Sequence, residues 1–264
     1  MDYHFDKQTV LVTGGAGHIG RAICEAFLAA GANVVACGRN APEEPIGEHG
    51  RHAYFVAADI RDPEQSQRVI DETLAQYGGL DILVNNAGGS PPIDAASASA
   101  RLTDKIINLN LTAPLVLAQQ AYPALCASFK RDNVPSNIIN IASVSGARPS
   151  PGTTAYGAAK AGLLSATKSL AMEWGPAVRV NALIVGLVHN DAGVAHYGGE
   201  EGFRRVAAML PLGRMAEPLD IANATLMLCS DKAAYISGAT LEVDGGGEVP
   251  VFLHLAAQSQ KTDV

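Results

Sequence analysis

Tyr156 and Lys160 are the residues whose types and spacing most directly suggest chemistry in this chain of 264 residues. Four positions apart on a helix, their side chains project from one face and can converge on one ligand. A tyrosine hydroxyl, with an unperturbed pKa of about 10, transfers protons poorly at neutral pH, but a neighbouring ammonium group lowers that pKa. Ser143 ends a predicted strand, where its hydroxyl can face the same crevice. The pattern predicts proton transfer, although a half-buried Tyr beside a surface Lys would show the same spacing.

A second stretch with chemical meaning is TGGAGHIG, residues 13–20, which satisfies G-x-G-x-x-G through Gly15, Gly17 and Gly20. It lies between an apolar, strand-like run and a helix-like segment. In that context the loop points backbone N–H groups and the positive end of a helix at a diphosphate. A plain tight turn is the alternative, because 27 glycines make chance matches easy. His18 is either an exposed first-turn residue or a donor to a cofactor phosphate.

The end of the following strand, VACGRN at residues 35–40, indicates which nucleotide would bind. An NAD-binding unit carries an acidic side chain there to accept the ribose hydroxyls, and this stretch has none. Gly38 leaves room, and Arg39 supplies a guanidinium suited to a bidentate grip on a 2′-phosphate. The sequence therefore predicts NADP(H) rather than NAD(H), with a solvated loop charge as the alternative interpretation of Arg39.

Short β-branched runs alternate with longer segments of helical period, which is typical of a parallel sheet covered by helices on both faces. Helix ends are marked by Gly31, by Asp62–Pro63 with Gln65, and by Gly78–Gly79. We expect an α/β, Rossmann-like, doubly wound parallel sheet of about seven strands, in one domain spanning residues 1–264. The predicted strands are 9–13, 33–37, 53–58, 81–85, 137–142, 178–184 and 240–244.

Composition narrows the class of protein further. Hydrophobic residues make up 48% and charged residues 17% of the chain, as in a globular protein. A net charge of −7 without a basic run argues against nucleic-acid binding, and no apolar stretch is long enough for a membrane span. The four cysteines lack a CxxC pair, so we expect buried thiols in a reducing cytoplasm and no metal site. They are Cys24, Cys37, Cys126 and Cys229.

Taken together, these motifs make the chain resemble the short-chain dehydrogenase/reductase family along nearly its full length. The matching stretches are TGGAGHIG, Asp59 at a strand end, NNAG (85–88), NLNL (108–111), Ser143, YGAAK (156–160) and ISGATLEVDGG near the carboxyl end. The resemblance implies an NAD(P)-dependent oxidoreductase that acts on an alcohol or carbonyl of a small molecule. It also implies a catalytic tetrad, carried over residue by residue as Asn110, Ser143, Tyr156 and Lys160.

The resemblance assigns roles as well. Tyr156 would donate the proton in carbonyl reduction, and Ser143 would hold the carbonyl oxygen. Lys160 would bind the nicotinamide ribose and lower the pKa of Tyr156, and Asn110 would hold a water in the proton relay. Asp59, followed by Ile60, would cap the adenine. The full expected cofactor-binding set is Gly14, Gly17, His18, Ile19, Gly20, Arg39, Asp59, Ile60, Asn86, Ala87, Gly88, Tyr156, Lys160, Gly186 and Val188.

Two departures from the family pattern concern the cofactor. His18 replaces the middle glycine of the usual T-G-x-x-x-G-x-G, a position where some branches carry Arg. The usual Pro-Gly with a Thr four positions later reads Val185–Gly186 with Asn190, which makes nicotinamide placement less secure. A catalytically silent NAD(P)-binding regulatory or scaffold protein is the alternative, but the intact tetrad argues against it. A nucleotide-sugar epimerase or dehydratase is disfavoured by length.

Four segments are expected to surround the substrate or contact other subunits. Residues 187–213 form either a lid over the site or a surface elaboration. The apolar tail at 248–264 packs on a neighbouring subunit of a homotetramer or homodimer, or folds back on its own chain. The loops GGSPP (88–92) and ARPSPGTT (147–154) mix small and apolar residues with few charges, so we expect a neutral, fairly apolar substrate.

Overall fold

The computed structural model describes residues 3–189 and 197–251. The strands there are β1 (Thr9–Thr13), β2 (Asn33–Gly38), β3 (Gly47–Glu48), β4 (Arg51–His52), β5 (Tyr54–Ala57), β6 (Ile82–Asn85), β7 (Ser136–Ile141), β8 (Val178–Val185) and β9 (Thr240–Val243). The helices are α1 (His18–Ala29), α2 (Pro63–Tyr77), α3 (Ala100–Ile107), α4 (Ala113–Asp132), α5 (Thr154–Trp174), α6 (Glu200–Ala207) and α7 (Pro218–Cys229). All the predicted strands are present, and their ends differ from the prediction by at most one residue.

Seven strands form one parallel sheet in the order β5-β2-β1-β6-β7-β8-β9, while β3 and β4 form a separate antiparallel hairpin. The order runs outward from β1 on both sides, because the chain crosses from β5 back over the sheet to β6. The crevice outside the carboxyl ends of β1 and β6 is the topological switch point, where doubly wound sheets bind their ligands. The predicted α/β, Rossmann-like fold is confirmed.

Helices cover both faces of the sheet, so β1 and β8 are buried at every position. Neighbouring residues of a strand point to opposite faces. Val10 therefore packs in one core with Phe27 of α1, whereas Leu11 packs in the other with Leu117 of α4. This two-sided burial explains why the strands are nearly continuous apolar runs in the sequence.

The predicted ends of α2 are found in the structure. Asp62 precedes the helix, and its side chain accepts hydrogen bonds from the N–H groups of Glu64 at 2.9 Å and Gln65 at 3.4 Å. Pro63 follows at the first helical position, where its missing N–H costs nothing. Gly78 ends the helix with φ of 76°, a left-handed conformation that suits glycine. These caps fix where α2 leaves the sheet edge that carries Asp59.

All four cysteines are free thiols. Cys24, Cys37 and Cys229 are buried, and burial raises the pKa of the Cys37 and Cys229 thiols to about 12. Cys126 is only half-buried, so the expectation of four buried thiols is wrong at that position, which lies on the less covered side of α4. Within residues 3–189 and 197–251, no helix is long and apolar enough to cross a membrane.

Candidate active site

A cavity of about 720 Å³ lies at the carboxyl ends of β1, β2, β5 and β6, within the roughly 300–1,000 Å³ typical of cofactor sites. Most of the predicted cofactor-binding residues line it: Gly14, Gly17, His18, Ile19, Gly20, Arg39, Asp59, Ile60, Asn86, Ala87, Gly88 and Val188. Gly38, expected to leave room for the cofactor, also lines it. No motif in the sequence indicated the other lining residues, which are Ala16, Cys37, residues 40–43, Ala58, Arg61 and Leu109.

The glycine loop between β1 and α1 is shaped by close backbone approaches. A Cβ atom at Gly20 would lie 2.2 Å from the Gly14 carbonyl oxygen, and one at Gly15 would lie 2.6 Å from the Ala36 Cβ. Packing of α1 on the sheet therefore excludes side chains at both positions. A Cβ atom at Gly17 would meet only the Gly14 carbonyl oxygen, at 3.2 Å, among the residues that the structure describes, and Gly17 lines the cavity. Its bare backbone leaves room for the diphosphate of a dinucleotide, which fits this cradle.

Thr13 joins the glycine loop to the chain that follows β6. Its hydroxyl oxygen accepts hydrogen bonds from the N–H groups of Asn86, at 3.0 Å, and Ala87, at 2.9 Å. In return, Asn86 Nδ2 donates to the Thr13 carbonyl oxygen at 2.9 Å. These bonds hold Asn86 and Ala87 at the switch point and explain why NNAG contributes to the cavity wall.

His18 begins α1, and its ring is exposed. Ring atom Nε2 lies 2.7 Å from the carbonyl oxygen of His189, which follows β8. Because a carbonyl oxygen only accepts, Nε2 donates this bond. The ring of His189 in turn packs on Phe203 of α6, with 5.0 Å between centroids, and lies 3.5 Å from a Glu217 carboxylate oxygen. His18 therefore links the glycine loop to the segment predicted to form a lid.

Arg39 follows the carboxyl end of β2 and is exposed at the cavity edge. Among residues 3–189 and 197–251 it makes no hydrogen bond or ion pair. A Cβ atom at the preceding Gly38 would meet its nearest neighbour, the Phe55 ring, only at 3.8 Å. The end of β2 thus presents an available guanidinium beside open space.

Asp59 lies two residues beyond β5, which pairs with β2 through Ala57 and Gly38. Its carboxylate is held by Arg61, whose Nε lies 2.9 Å and 3.1 Å from the two oxygens and whose Nη2 makes a third contact. Hydrogen bonds from Arg61 lower the pKa of Asp59, and the charge of Arg39 acts in the same direction. Asp59 is therefore a paired carboxylate.

Asn110 occupies a π-helical turn, residues 108–112, between α3 and α4. Its Oδ1 accepts from the Gly89 N–H at 2.8 Å, and its Nδ2 donates to the carbonyl oxygens of Gly89 and Ile106, both at 2.9 Å. Both amide hydrogens are committed to backbone acceptors, so the side chain holds the chain after β6 in place. The role expected for Asn110 in the proton relay stays a prediction.

Ser143 and Tyr156 meet beyond the carboxyl end of β7. Ser143 caps a short helical turn by accepting a hydrogen bond from the Ser145 N–H at 3.2 Å. Tyr156 lies in the first turn of α5 and is half-buried. Burial raises the pKa of its hydroxyl, and a hydrogen bond from Ser143 opposes that rise. The two predicted hydroxyls are thus brought together.

Lys160 lies one turn further along α5 and is 3% exposed. Its Nζ donates to the Ile141 carbonyl oxygen at 2.7 Å and lies 5.6 Å from the centre of the Tyr156 ring. Burial lowers the pKa of Lys160 to about 8. Burial raises the pKa of Tyr156 and the hydrogen bond from Ser143 opposes that rise, and the lowering of this pKa expected from Lys160 stays a prediction.

Buried polar side chains connect α5 to the sheet beneath the site. Asn85 Nδ2 donates to Asn140 Oδ1 at 2.9 Å, and Asn140 Nδ2 donates to the Thr167 hydroxyl oxygen at 2.9 Å. Thr167 completes the chain with a bond to the Leu163 carbonyl oxygen. This chain ties β6 and β7 to the helix that carries Tyr156 and Lys160. The asparagines within apolar strands are the only feature of the sequence that indicates these hydrogen bonds.

Three of the predicted cofactor residues do not line the cavity: Tyr156, Lys160 and Gly186. Lys160 lies directly behind Gly88, since a Cβ atom there would be 3.1 Å from its Nζ. Gly186 is required by packing, because a Cβ atom would lie 2.7 Å from the Asp244 Cα. Asn190, the expected replacement for the family's Thr, lies outside the described residues.

The two loops predicted to line the substrate site are connected, since the Ile93 N–H donates to the Gly152 carbonyl oxygen at 2.8 Å. Arg148 is the only charged residue in 88–92 and 147–154. Its guanidinium forms an ion pair with Glu248, which follows β9. Tyr197 lies within electrostatic range of both, and burial raises its pKa. The chain after β9 and the segment before α6 therefore meet at the substrate loops.

Comparisons with known proteins show which family the chain is similar to. A family model described as enoyl-(acyl carrier protein) reductase matches residues 14–248. The chain is 35% identical over 250 residues to 3beta-hydroxysteroid dehydrogenase 1 of Eggerthella lenta, covering 90% of this chain and 93% of that protein. It is 33% identical over 253 residues to D-threitol dehydrogenase of Mycolicibacterium smegmatis, covering 93% and 95%.

Solved structures show the same fold. Aldohexose dehydrogenase of Thermoplasma acidophilum superposes with a TM-score of 0.83 at 28% identity, covering 91% of this chain and 94% of that one. A short-chain alcohol dehydrogenase from Sinorhizobium meliloti superposes with a TM-score of 0.82 at 32% identity, covering 93% and 98%. This chain belongs to the short-chain dehydrogenase/reductase family. It is an oxidoreductase acting on CH–OH groups, in a family that uses NAD(P) cofactors.

Proposed function

We propose that the chain is an NADP(H)-dependent oxidoreductase that interconverts a secondary alcohol and a carbonyl on a small, neutral or apolar molecule. The observation that carries this proposal is one cavity lined by both Arg39 and Gly88, with Lys160 directly behind Gly88 and beside the Ser143–Tyr156 pair. One site thus combines a group suited to a 2′-phosphate with groups suited to moving a proton.

The mechanism follows from the hydroxyl pair. When bound, the nicotinamide supplies or accepts the hydride. In the reduction direction, the Tyr156 hydroxyl donates its proton to the carbonyl oxygen. The Ser143 hydroxyl donates a hydrogen bond to the same oxygen and stabilises the negative charge that develops there. Lys160, anchored on Ile141 beside Gly88, binds the ribose hydroxyls, and Asn110 keeps the Gly88–Gly89 backbone in place.

The preference for NADP(H) rests on Arg39 and Gly38. Within the described part of the chain, the guanidinium of Arg39 has no partner, and its donors match a phosphate better than a ribose hydroxyl. Asp59 and Ile60 lie where the adenine would be recognised, and Gly14 to Gly20 hold the diphosphate. No acidic side chain follows β2 until Glu43. The carboxylate that would bind the ribose hydroxyls of NAD(H) is therefore missing from the end of β2.

A neutral substrate is supported by the pairing of Arg148 with Glu248, which leaves the substrate loops without a free charge. Two relatives are named for a 3β-hydroxysteroid and for D-threitol, both uncharged alcohols. We propose that the described parts of the predicted lid, residues 187–189 and 197–213, close over this substrate, since α6 and His189 already reach the glycine loop through His18. The rest of the predicted lid, residues 190–196, lies outside the described residues.

We further propose that the chain acts as a single domain in the cytoplasm, assembled as a homotetramer or homodimer, with no nucleic-acid or membrane partner. Four free thiols fit a reducing compartment. The apolar tail, most of which lies outside the described residues, would pack on a neighbouring subunit. Deleting residues 250–264 and measuring mass by light scattering tests this: an unchanged assembly with unchanged thermal stability would contradict it.

The enzymatic proposal is tested with a panel of ketones and alcohols, including steroid and sugar-alcohol examples, while the absorbance of reduced nicotinamide is followed. We expect turnover with NADPH on neutral members of the panel. Dinucleotide binding without turnover on any member would favour a regulatory or scaffold role.

A further inference from the structure

Asp59, Arg39 and Arg61 form a charged cluster at the edge of the cofactor cavity. All three line the cavity, and the sheet brings them together because Gly38 of β2 pairs with Ala57 of β5. The Ala58 N–H also donates to the Gly38 carbonyl oxygen at 2.9 Å. Arg39 and Asp59 thus leave the sheet from neighbouring strand ends.

The two arginines differ in what they contact. Arg61 commits Nε and Nη2 to the Asp59 carboxylate, and its own N–H donates to Asp59 Oδ1 at 3.1 Å. Arg39 has no such partner among residues 3–189 and 197–251. Its charge still acts on Asp59, whose pKa it helps to lower. The carboxylate is therefore close enough to influence whatever Arg39 binds.

An unpaired Asp59 would oppose binding of a phosphate in two ways. It would repel the dianion directly, and it would compete with the phosphate for the Arg39 guanidinium. Pairing with Arg61 removes both effects, because a bidentate arginine neutralises the carboxylate and fixes its direction.

We propose that Arg61 is a specificity-determining residue for NADP(H), acting by neutralising Asp59 so that Arg39 remains available to the 2′-phosphate. This inference rests on the proposed preference for NADP(H). Arg61 itself need not touch the phosphate, since its donors face Asp59. The adenine is common to NADPH and NADH, so any effect of Asp59 on the adenine cancels when the two affinities are compared.

The test is a double-mutant cycle with dissociation constants for NADPH and NADH measured by fluorescence titration. We expect Arg61→Met to weaken NADPH binding about tenfold and to leave NADH binding nearly unchanged, because the uncompensated charge of Asp59 would repel the 2′-phosphate. Asp59→Asn should prefer NADPH over NADH at least as strongly as wild type, and the double variant should match Asp59→Asn in this ratio. Arg61→Lys should recover part of the loss.

Arg68→Met is the matched control, because Arg68 forms an ion pair with Glu72 on α2 and does not line the cavity. It removes the same net charge and should leave the NADPH to NADH ratio unchanged. Thermal unfolding of each variant shows whether it is folded, and a general loss of structure would lower both affinities together.

Each remaining outcome contradicts the inference. An unchanged ratio in Arg61→Met contradicts it, and so does a double variant as weak as Arg61→Met, which would mean that Arg61 binds the phosphate directly. If Arg39→Ala weakens NADPH while Arg61→Met does not, only this inference fails. If wild type binds NADH as tightly as NADPH and Arg39→Ala changes neither dissociation constant, the proposed cofactor preference is wrong. This inference is then wrong as well, since it rests on that preference.

Discussion

Lys160 donates a hydrogen bond from its buried Nζ to the carbonyl oxygen of Ile141, at 2.7 Å, so the ammonium is anchored on β7 and not on the Tyr156 hydroxyl. A single hydrogen bond to a carbonyl oxygen offsets only a small part of the cost of burying the Lys160 ammonium. Burial accordingly lowers the pKa of Lys160 to about 8 from its ordinary 10.5. Folding thus favours the neutral amine.

This shift predicts a pH dependence of stability. Between pH 8 and 10.5 the unfolded chain keeps the Lys160 proton that the folded chain has lost, so the contribution of Lys160 to the free energy of unfolding rises with pH in that window. This contribution approaches about 3 kcal/mol. The buried Cys37 and Cys229 thiols, whose pKa burial raises, lower stability above about pH 9 in every variant alike. In urea unfolding, the free energy of wild type should therefore rise across this range relative to that of Lys160→Met. Lys168→Met, on the exposed side of the same helix, should behave as wild type.

Tyr156→Phe tests the proton donor. The substitution keeps the half-buried ring and removes only the hydroxyl that Ser143 contacts. Folding and dinucleotide affinity should survive, whereas kcat should fall by roughly 10² to 10⁴. Steady-state kinetics with either cofactor would show this, and near wild-type turnover in the Phe variant would mean that another group moves the proton.

Two glycines of the first loop should respond differently to alanine. Gly20→Ala places a Cβ atom 2.2 Å from the Gly14 carbonyl oxygen, so we expect a loss of about 2 kcal/mol or more in unfolding free energy. Gly17→Ala has more room and should fold normally, but its methyl group would keep the diphosphate away from the backbone. Thermal unfolding and dinucleotide titration separate the two effects. Equal losses of unfolding free energy in Gly20→Ala and Gly17→Ala would contradict a packing role for Gly20 and a binding role for Gly17.

Gly38→Asp should redirect cofactor choice. The new side chain fits, since the nearest atom to its Cβ is 3.8 Å away, and its carboxylate would bind a free ribose and repel a 2′-phosphate. In this variant the affinity for NADH should rise relative to the affinity for NADPH. Arg39→Ala should weaken NADPH binding about 10- to 100-fold and leave NADH binding unchanged. Fluorescence titration of both cofactors measures these changes. A wild type that binds NADH as well as NADPH would overturn the prediction.

Glu248→Gln should change substrate choice by releasing Arg148 in the substrate loops. With its guanidinium unpaired, carbonyl compounds that bear a carboxylate should gain about tenfold in kcat/KM over matched neutral esters. The double variant with Arg148→Gln should lose that gain. If Glu248→Gln leaves the ratio at its wild-type value, Arg148 does not face the substrate.

The fold could be predicted because its signals are local and physical. Strands buried on both faces must be apolar throughout, and helix ends need residues such as Asp62 and Gly78 whatever their surroundings. Tyr156, Lys160 and the glycine loop were found for a similar reason, since a turn of helix or a strand–helix junction fixes their geometry from spacing alone.

Other parts of the site depend on contacts that no local pattern encodes. His18 meets the His189 carbonyl across 171 residues of sequence, and Arg148 meets Glu248 across 100. Arg61 is only two residues from Asp59, but a long side chain has many rotamers, and only the loop after β5 selects one. The pKa directions of Tyr156 and Lys160 depend on burial depth, which spacing does not determine.

The bonds from Asn86 and Ala87 to the Thr13 hydroxyl span 73 and 74 residues of chain. A polypeptide ending before β6 could form the glycine loop but would lack the partner that fixes its far side. The nucleotide site therefore exists only after the long crossover to β6 has closed, a step that costs loop entropy before any contact repays it. A dinucleotide therefore cannot bind the chain before β1 and β6 have paired. It binds only molecules in which this pairing is complete, so its binding stabilises the whole sheet as one unit.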